Sequence, residues 1–293
     1  MIDFAFWPAC VRTHEFAKHV SAAAAGGFSS LAVAPETYRR ALATGLTPKD
    51  MLALAADHGV ELRYLDSLTD WAPIRVPREV NPALRERFDM SMDESFEIID
   101  ALELKSILAV AGYDLGSVPE DVLIEGFARM CDRAASAGLW VDLEFMPFWG
   151  LPDLATAWRI VNGANRPNSG IMVDTWHFSK GNFDLDLLKS IPGERLVSVQ
   201  IADALKRQRG ATLFEDTVRY RMFPGEGELP VVEVLHVLQQ KGQLRSVGPE
   251  VFSDEADLLS PEESGRRAAV TTLAVLRDAG IGNVRATTSQ ASR

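Results

Sequence analysis

Short apolar runs recur along this chain about every 35 residues, and segments with helical signals separate them. Eight such runs are readable, at residues 2–7, 28–34, 60–65, 104–111, 139–145, 170–174, 195–201 and 246–252. Runs this short and this apolar predict strands buried on both faces, as in a parallel sheet. The intervening segments carry helix punctuation. Residues 13–25 are Ala-rich and closed by Gly26 and Gly27. Thr47, Pro48 and Asp50 supply a cap, a first-turn proline and an early acid for a helix that runs to His58. Further helices are predicted at 91–101, 119–137, 152–162, 184–190, 229–240 and 261–279. Residues 66–89, with Trp71, Pro73, Pro77 and Pro82, read as a long irregular loop. Strand–helix alternation points to parallel βαβ units. Eight of them in 293 residues predict an α/β fold, a single (β/α)8 TIM barrel. No composition break divides the chain, so residues 1–280 are read as one barrel. The mostly polar residues 281–293 are expected to form a disordered tail.

The net charge of −11 argues against a nucleic-acid partner, because phosphate binding needs clustered Lys and Arg. Cys10 and Cys131 stand in no ligand-spaced pair, which fits a reduced, cytoplasmic protein. The first residues lack a basic leader pattern, and no apolar run approaches the length of a membrane span, so no membrane partner is expected. Dinucleotide, P-loop and nucleophile-elbow motifs are absent.

In a barrel of this kind, chemistry sits where strands end. Four successive strands end on polar residues: Glu144, Asp174, Gln200 and Glu250, spaced by 30, 26 and 50 residues. Three carboxylates facing one cavity repel unless a counter-charge is present, and a divalent cation supplies it. An all-oxygen donor set suits Mn²⁺ or Mg²⁺ better than Zn²⁺ or Co²⁺. His177, three residues past Asp174, is a candidate proton donor or substrate contact if a turn folds it back. Trp7, Trp149, Trp176, Phe145 and Phe148 lie near predicted rims and are candidate pocket walls. Arg221 lies in the longest loop of that face and is a candidate substrate-binding group. Asp203 reads as a supporting partner or a helix cap.

The strand-end set Glu144, Asp174-x-x-His177, Gln200 and Glu250, together with Arg221-x-x-Pro-Gly-Glu-Gly, resembles the xylose isomerase-like TIM-barrel superfamily. Within it, the sugar phosphate isomerase/epimerase family is the nearest general pattern. The likeness spans about residues 2–280 and is densest over 139–253. It implies that Glu144, Asp174, Gln200 and Glu250 hold one divalent metal, with Glu144 and Glu250 as base and acid on opposite sides of it. It implies isomerisation or epimerisation of a small keto-sugar, keto-polyol or sugar phosphate through a metal-stabilised enediolate. Homo-oligomers are common in the family. The third ligand departs from the His usual in ketose epimerases and inosose isomerases. A Gln at that position is similar to hydroxypyruvate isomerase and bacterial 3-dehydroshikimate dehydratases. The alternatives are therefore a metal-dependent dehydratase, with His177 protonating the leaving hydroxyl, and a non-catalytic binding protein on the same barrel. Related abasic-site endonucleases use many His ligands, whereas this chain has five His in all.

Overall fold

The computed structural model describes residues 1–73 and 90–285. Eight parallel strands form its centre: β1 (Ile2–Phe6), β2 (Ser30–Val33), β3 (Glu61–Leu68), β4 (Ser106–Ala109), β5 (Trp140–Glu144), β6 (Ser169–Asp174), β7 (Ser198–Ile201) and β8 (Ser246–Pro249). Each pairs with its sequence neighbour, and β1 pairs with both β2 and β8, so the sheet closes into a barrel. Closure is fixed by Ala5 opposite Ser30 on one side and Asp3 opposite Ser246 on the other. The expected α/β class and single (β/α)8 barrel describe the structure. Among the described residues, no helix is long and apolar enough to cross a membrane.

Helices fill the outside where the sequence supplies caps and an apolar stripe. Those at Pro48–Asp57, Met92–Ala101 and Pro261–Asp278 each start with a reciprocal capping box, Thr47 with Asp50, Ser91 with Glu94 and Ser260 with Glu263. Three short helices were not expected, at Pro35–Ala43, Thr175–Lys180 and Leu213–Arg219. Pro35 reads as a strand stop and is also the first residue of a helix, a position that suits proline. The other two lie inside stretches read as strand exits or loop. Strand β3 continues to Leu68, so the first three residues of the expected 66–89 loop are strand, and residues 74–89 lie outside the described residues.

The tail expectation needs correction over its first five residues. Ile281 is buried in the core, and Val284–Arg285 forms a ninth short strand, β9, beside Ile2 and Asp3. Ile281 and Val284 supply the apolar contact that a purely polar tail would lack. Residues 286–293 lie outside the described residues.

Alternation along each strand separates two cores. Phe4, Phe6, Leu31, Val33, Leu65 and Ile107 face the helices, whereas Ala5, Ala32, Tyr64, Leu108 and Met172 form a distinct inner cluster. Below that cluster lies a polar floor. The Asp3 carboxylate accepts hydrogen bonds from Ser29 (2.7 Å), Ser30 (2.5 Å) and Tyr64 (2.6 Å). Asp142 accepts from Ser198 (2.6 Å) and the Trp140 indole (2.8 Å). Burial pushes the Asp142 carboxyl up to about 6, although these hydrogen bonds oppose the rise.

Gly248 lets β8 approach β1. A Cβ there would lie 1.9 Å from the Ala5 carbonyl oxygen, which is backbone and cannot swing away. Gly248→Ala is therefore expected to cost about 3 kcal/mol or more, the upper end of overpacking losses. Denaturant unfolding measures it, and a loss below about 1 kcal/mol would show that the seam can open without strain.

Candidate active site

Glu144 ends β5, Asp174 ends β6, Gln200 lies in β7, and Glu250 directly follows β8. All four are buried. Alternation explains why they meet. Glu144 lies two residues beyond Asp142, Gln200 two beyond Ser198, and Glu250 two beyond Gly248, so each keeps the inward phase of the floor and seam residues beneath it.

The Asp-x-x-His spacing has a local cause. Asp174 is the N-cap of the Thr175–Lys180 helix, and its Oδ1 accepts the His177 backbone N–H at 2.7 Å. The helical turn returns the imidazole toward the strand ends, where Nε2 lies 3.5 Å from Glu144 Oε1. Glu144, Asp174 and His177 each offer a ligand atom, and these atoms lie within 4.8 Å of one another. His177 thus joins the candidate donors beside Gln200 and Glu250. The Gln200 amide donates to Glu250 Oε1 at 2.9 Å.

Arg221 reaches into this cluster from the loop after β7. Its Nη1 donates to Asp174 Oδ2 (2.7 Å), to Glu250 Oε2 (3.1 Å) and to the Glu250 backbone oxygen (3.1 Å). Nη2 contacts His177 Nε2 (3.1 Å) and Thr217 Oγ1 (2.8 Å), and Nε donates to the same hydroxyl (3.0 Å). The guanidinium lies 5.3 Å from the ring centres of both Trp176 and Phe252. Since the guanidinium can only donate, His177 Nε2 accepts, which places the imidazole proton on Nδ1.

The electrostatics follow from burial and this one cation. Burial pushes the Glu144 carboxyl well above the usual carboxylate range, and the charges of Glu250 and Asp174 add to the rise. Burial also pushes Asp174 up, but Arg221, His177 and the backbone N–H together outweigh it and hold the carboxyl low. Burial lowers His177 to about 3, with Asp174 opposing and Arg221 assisting.

With all three carboxylates ionised, as ligands to a cation would be, the one guanidinium leaves two negative charges uncompensated among these four side chains. Glu144 Oε1 and Gln200 Oε1 are buried without a hydrogen-bond partner among the described residues. Such atoms are costly unless something binds them. A divalent cation matches both the charge deficit and the oxygen donors, so the residues fit such an ion.

Above the cluster opens a cleft with a polar and an apolar side. Asp66, Glu144, His177, Arg221 and Glu250 form its polar side, and Met146, Phe148, Trp149, Phe214 and Phe252 its apolar side. Asp174 and Gln200 sit behind this surface. Two expectations are corrected. Trp7 and Trp176 do not line the cleft: both are fully buried, Trp7 against Tyr64 and Trp176 beneath Arg221 and Lys180. Phe145 likewise lies in the outer core, while Phe148 and Trp149 do reach the cleft. Arg221 borders the cleft, but every N–H of its guanidinium already has a protein acceptor, so free substrate-binding donors are not what it presents. Asp203 accepts the Ala204 and Leu229 N–H groups and anchors the loop around Gly227. Asp66, Phe214 and Thr217 were not singled out from sequence. Asp66 satisfies the same strand-end rule as Glu144. Thr217 stands four residues before Arg221, a helical spacing hidden while the segment read as loop.

In the metal-free protein the His177 ring is expected to stay neutral down to about pH 5, because burial disfavours the imidazolium. Imidazole nitrogen shifts measured across pH check this. A midpoint near the ordinary histidine value would show that the ring is solvated.

A family model described as xylose isomerase-like TIM barrel matches residues 20–279. A 3-dehydroshikimate dehydratase from Pseudomonas aeruginosa is 25% identical over 214 residues, 71% of this chain and 32% of that protein. An inosose isomerase from Bacillus subtilis is 30% identical over 158 residues, 53% of this chain and 54% of that one. The matches thus span about a third of the dehydratase's length and about half of the isomerase's. The crystal structure of an IolI protein with a bound zinc atom superposes with a TM-score of 0.80 at 20% identity, covering 94% of this chain and 98% of the other. At that identity the likeness concerns the fold. With the barrel closed and the family model matching from residue 20 to residue 279, this chain belongs to the xylose isomerase-like TIM barrel family.

Proposed function

We propose that this chain is a divalent-metal-dependent enzyme that moves a proton on the carbon beside the carbonyl of a small keto-sugar, keto-polyol or sugar phosphate, giving isomerisation or epimerisation. One observation carries the reading: Glu144 and Glu250 face one cleft within a buried cluster that lacks two positive charges. Glu144, Asp174, Gln200 and Glu250 would hold the ion, with His177 as a further donor. Mn²⁺ and Mg²⁺ suit the oxygen-rich set, and the zinc in the IolI structure keeps Zn²⁺ among the ions to test. When bound, the cation would polarise a substrate carbonyl and stabilise the negative charge that develops on its oxygen.

The protein groups supply the proton traffic. Burial holds Glu144 above the usual carboxylate range in the metal-free protein; as a ligand to the cation it would be ionised and so able to accept a proton. Glu250 is held by Gln200 and Arg221, which fix its orientation. One carboxylate removing a proton and the other returning it gives epimerisation; one group shuttling it between adjacent carbons gives isomerisation. The apolar wall of Met146, Phe148, Trp149 and Phe214 keeps bulk water from the reacting carbon.

A second reading is dehydration of a 3-dehydroshikimate-like or keto-inositol substrate. Gln200 at the third donor position and the Pseudomonas aeruginosa match, which spans 71% of this chain, favour it. Both readings share the first proton abstraction and differ in what leaves next.

Keto-sugars, keto-inositols, hydroxypyruvate and 3-dehydroshikimate, incubated with protein and Mn²⁺ or Mg²⁺ in D₂O and followed by NMR, separate the outcomes. Deuterium gained without loss of water supports isomerase or epimerase, and an unsaturated product supports dehydratase. Lack of turnover, together with lack of stoichiometric divalent ion in chelator-free protein, supports the non-catalytic reading. Glu144→Ala and Glu250→Ala are each expected to lower kcat/KM on the identified substrate by about 100-fold or more. Activity within a few-fold of wild type in either variant would remove that carboxylate from the proton path.

A further inference from the structure

We infer that Arg221 is a built-in counter-ion which competes with the divalent cation for Asp174 and Glu250, so that it holds the metal-free site together and limits how tightly the site takes up metal. The inference rests on the metal reading above. The oxygens that a cation would use are the ones this guanidinium occupies: Asp174 Oδ2 at 2.7 Å and Glu250 Oε2 at 3.1 Å. The remaining Asp174 oxygen is taken by the His177 backbone N–H at 2.7 Å.

The position of Arg221 is built, not incidental. Thr217 accepts from both Nε and Nη2, and Trp176 and Phe252 lie over the guanidinium at 5.3 Å each. Arg221 is 2% exposed. A side chain reserved for substrate would keep N–H groups facing the cleft. Here each is bound to protein, and three of the accepting residues, Asp174, Glu250 and His177, are proposed metal donors. A buried cation this close to the carboxylates has opposite effects on the two states of the site. Without metal it offsets charge that would otherwise be stranded in a low-dielectric interior. With metal it repels a second cation held by the same oxygens.

Arg221→Met keeps most of the volume and removes the charge. Arg221→Lys keeps the charge and loses the fork. Mn²⁺ affinity is measured by calorimetry on chelator-stripped protein, and thermal unfolding is followed with and without Mn²⁺. Arg221→Met is expected to bind Mn²⁺ about tenfold or more tightly than wild type, as Coulomb repulsion at a few ångströms implies. It should also melt lower without metal and gain more in Tm from Mn²⁺ than wild type does. Arg221→Lys should stay within about threefold of wild-type affinity, since the charge persists. Affinity in Arg221→Met equal to or weaker than wild type overturns the inference and makes Arg221 a clamp that positions the ligands.

Should Arg221→Met fail to fold, wild-type protein decides. The Arg221 side-chain N–H signal, identified by its loss in Arg221→Lys, should shift on titration with diamagnetic Mg²⁺. An unmoved signal at saturating Mg²⁺ overturns the inference. If wild type takes up no divalent ion, the metal reading falls and this inference with it. If wild type binds and Arg221→Met binds no tighter, only the counter-ion inference falls.

Discussion

Closing eight parallel strands into a ring commits every second residue of each strand to one shared interior, and the rest of this molecule follows from that constraint. The interior is not uniformly apolar. At the strand starts it holds Asp3 bonded to Ser30 and Tyr64, and Asp142 bonded to Ser198. Above them Ala5, Ala32, Leu108 and Met172 make an apolar plug. At the strand ends it holds Glu144, Asp174, Gln200 and Glu250. In the polar floor both carboxylates are surrounded by hydroxyl and indole donors. The upper layer is short of positive charge and keeps unpartnered oxygens. Two polar layers in one barrel thus have different characters, because donors are matched to acceptors in one and withheld in the other.

The upper layer would be unstable as a bare set of carboxylates. Arg221 partly offsets the repulsion, and its placement depends on a helix that the barrel itself does not require. Residues Leu213–Arg219 carry Phe214 and Thr217 onto the cleft, and Thr217 fixes the guanidinium. The same inserted segment therefore supplies both an apolar wall and the support for the cluster's cation. Asp174 plays a comparable double part. As a helix cap it folds His177 back, and as an acceptor for Arg221 it stays ionised while Glu144, at the next strand end, is driven toward its neutral form. Two neighbouring acids with divergent tendencies are a usual foundation for proton transfer.

Much of this was readable from the chain. The strand and helix alternation predicted the barrel, because short apolar runs buried on both faces have few other parallel arrangements. The strand-end rule singled out Glu144, Asp174, Gln200 and Glu250, since polar residues at the ends of successive strands share one rim of the barrel. It missed Asp66 because the residue directly after the 60–65 run was read as the start of a long loop, whereas β3 carries it within the strand. It misplaced Trp7 and Trp176 because an aromatic near a rim has the same composition signal whether it faces a cleft or a core. Trp7 keeps the inward phase of Ala5 and is still buried beneath the cleft, against Tyr64. Ile281 and Val284 were hidden by polar neighbours, although two apolar residues suffice to dock a short strand beside β1.

The sequence by itself determined the fold class, the succession of strands and the identity of four oxygen-bearing strand ends, because periodicity and punctuation are local properties. Only the tertiary structure decided which polar groups are spent on one another. Arg221 lies 47 residues from Asp174 and 29 from Glu250, so its capture by their carboxylates could not be read from spacing. The orphaned oxygens of Glu144 and Gln200 are likewise visible only once every neighbour is in place. Hydrogen-bond satisfaction is a property of the whole packed interior, and in this barrel it separates a structural floor from a site with capacity left to bind.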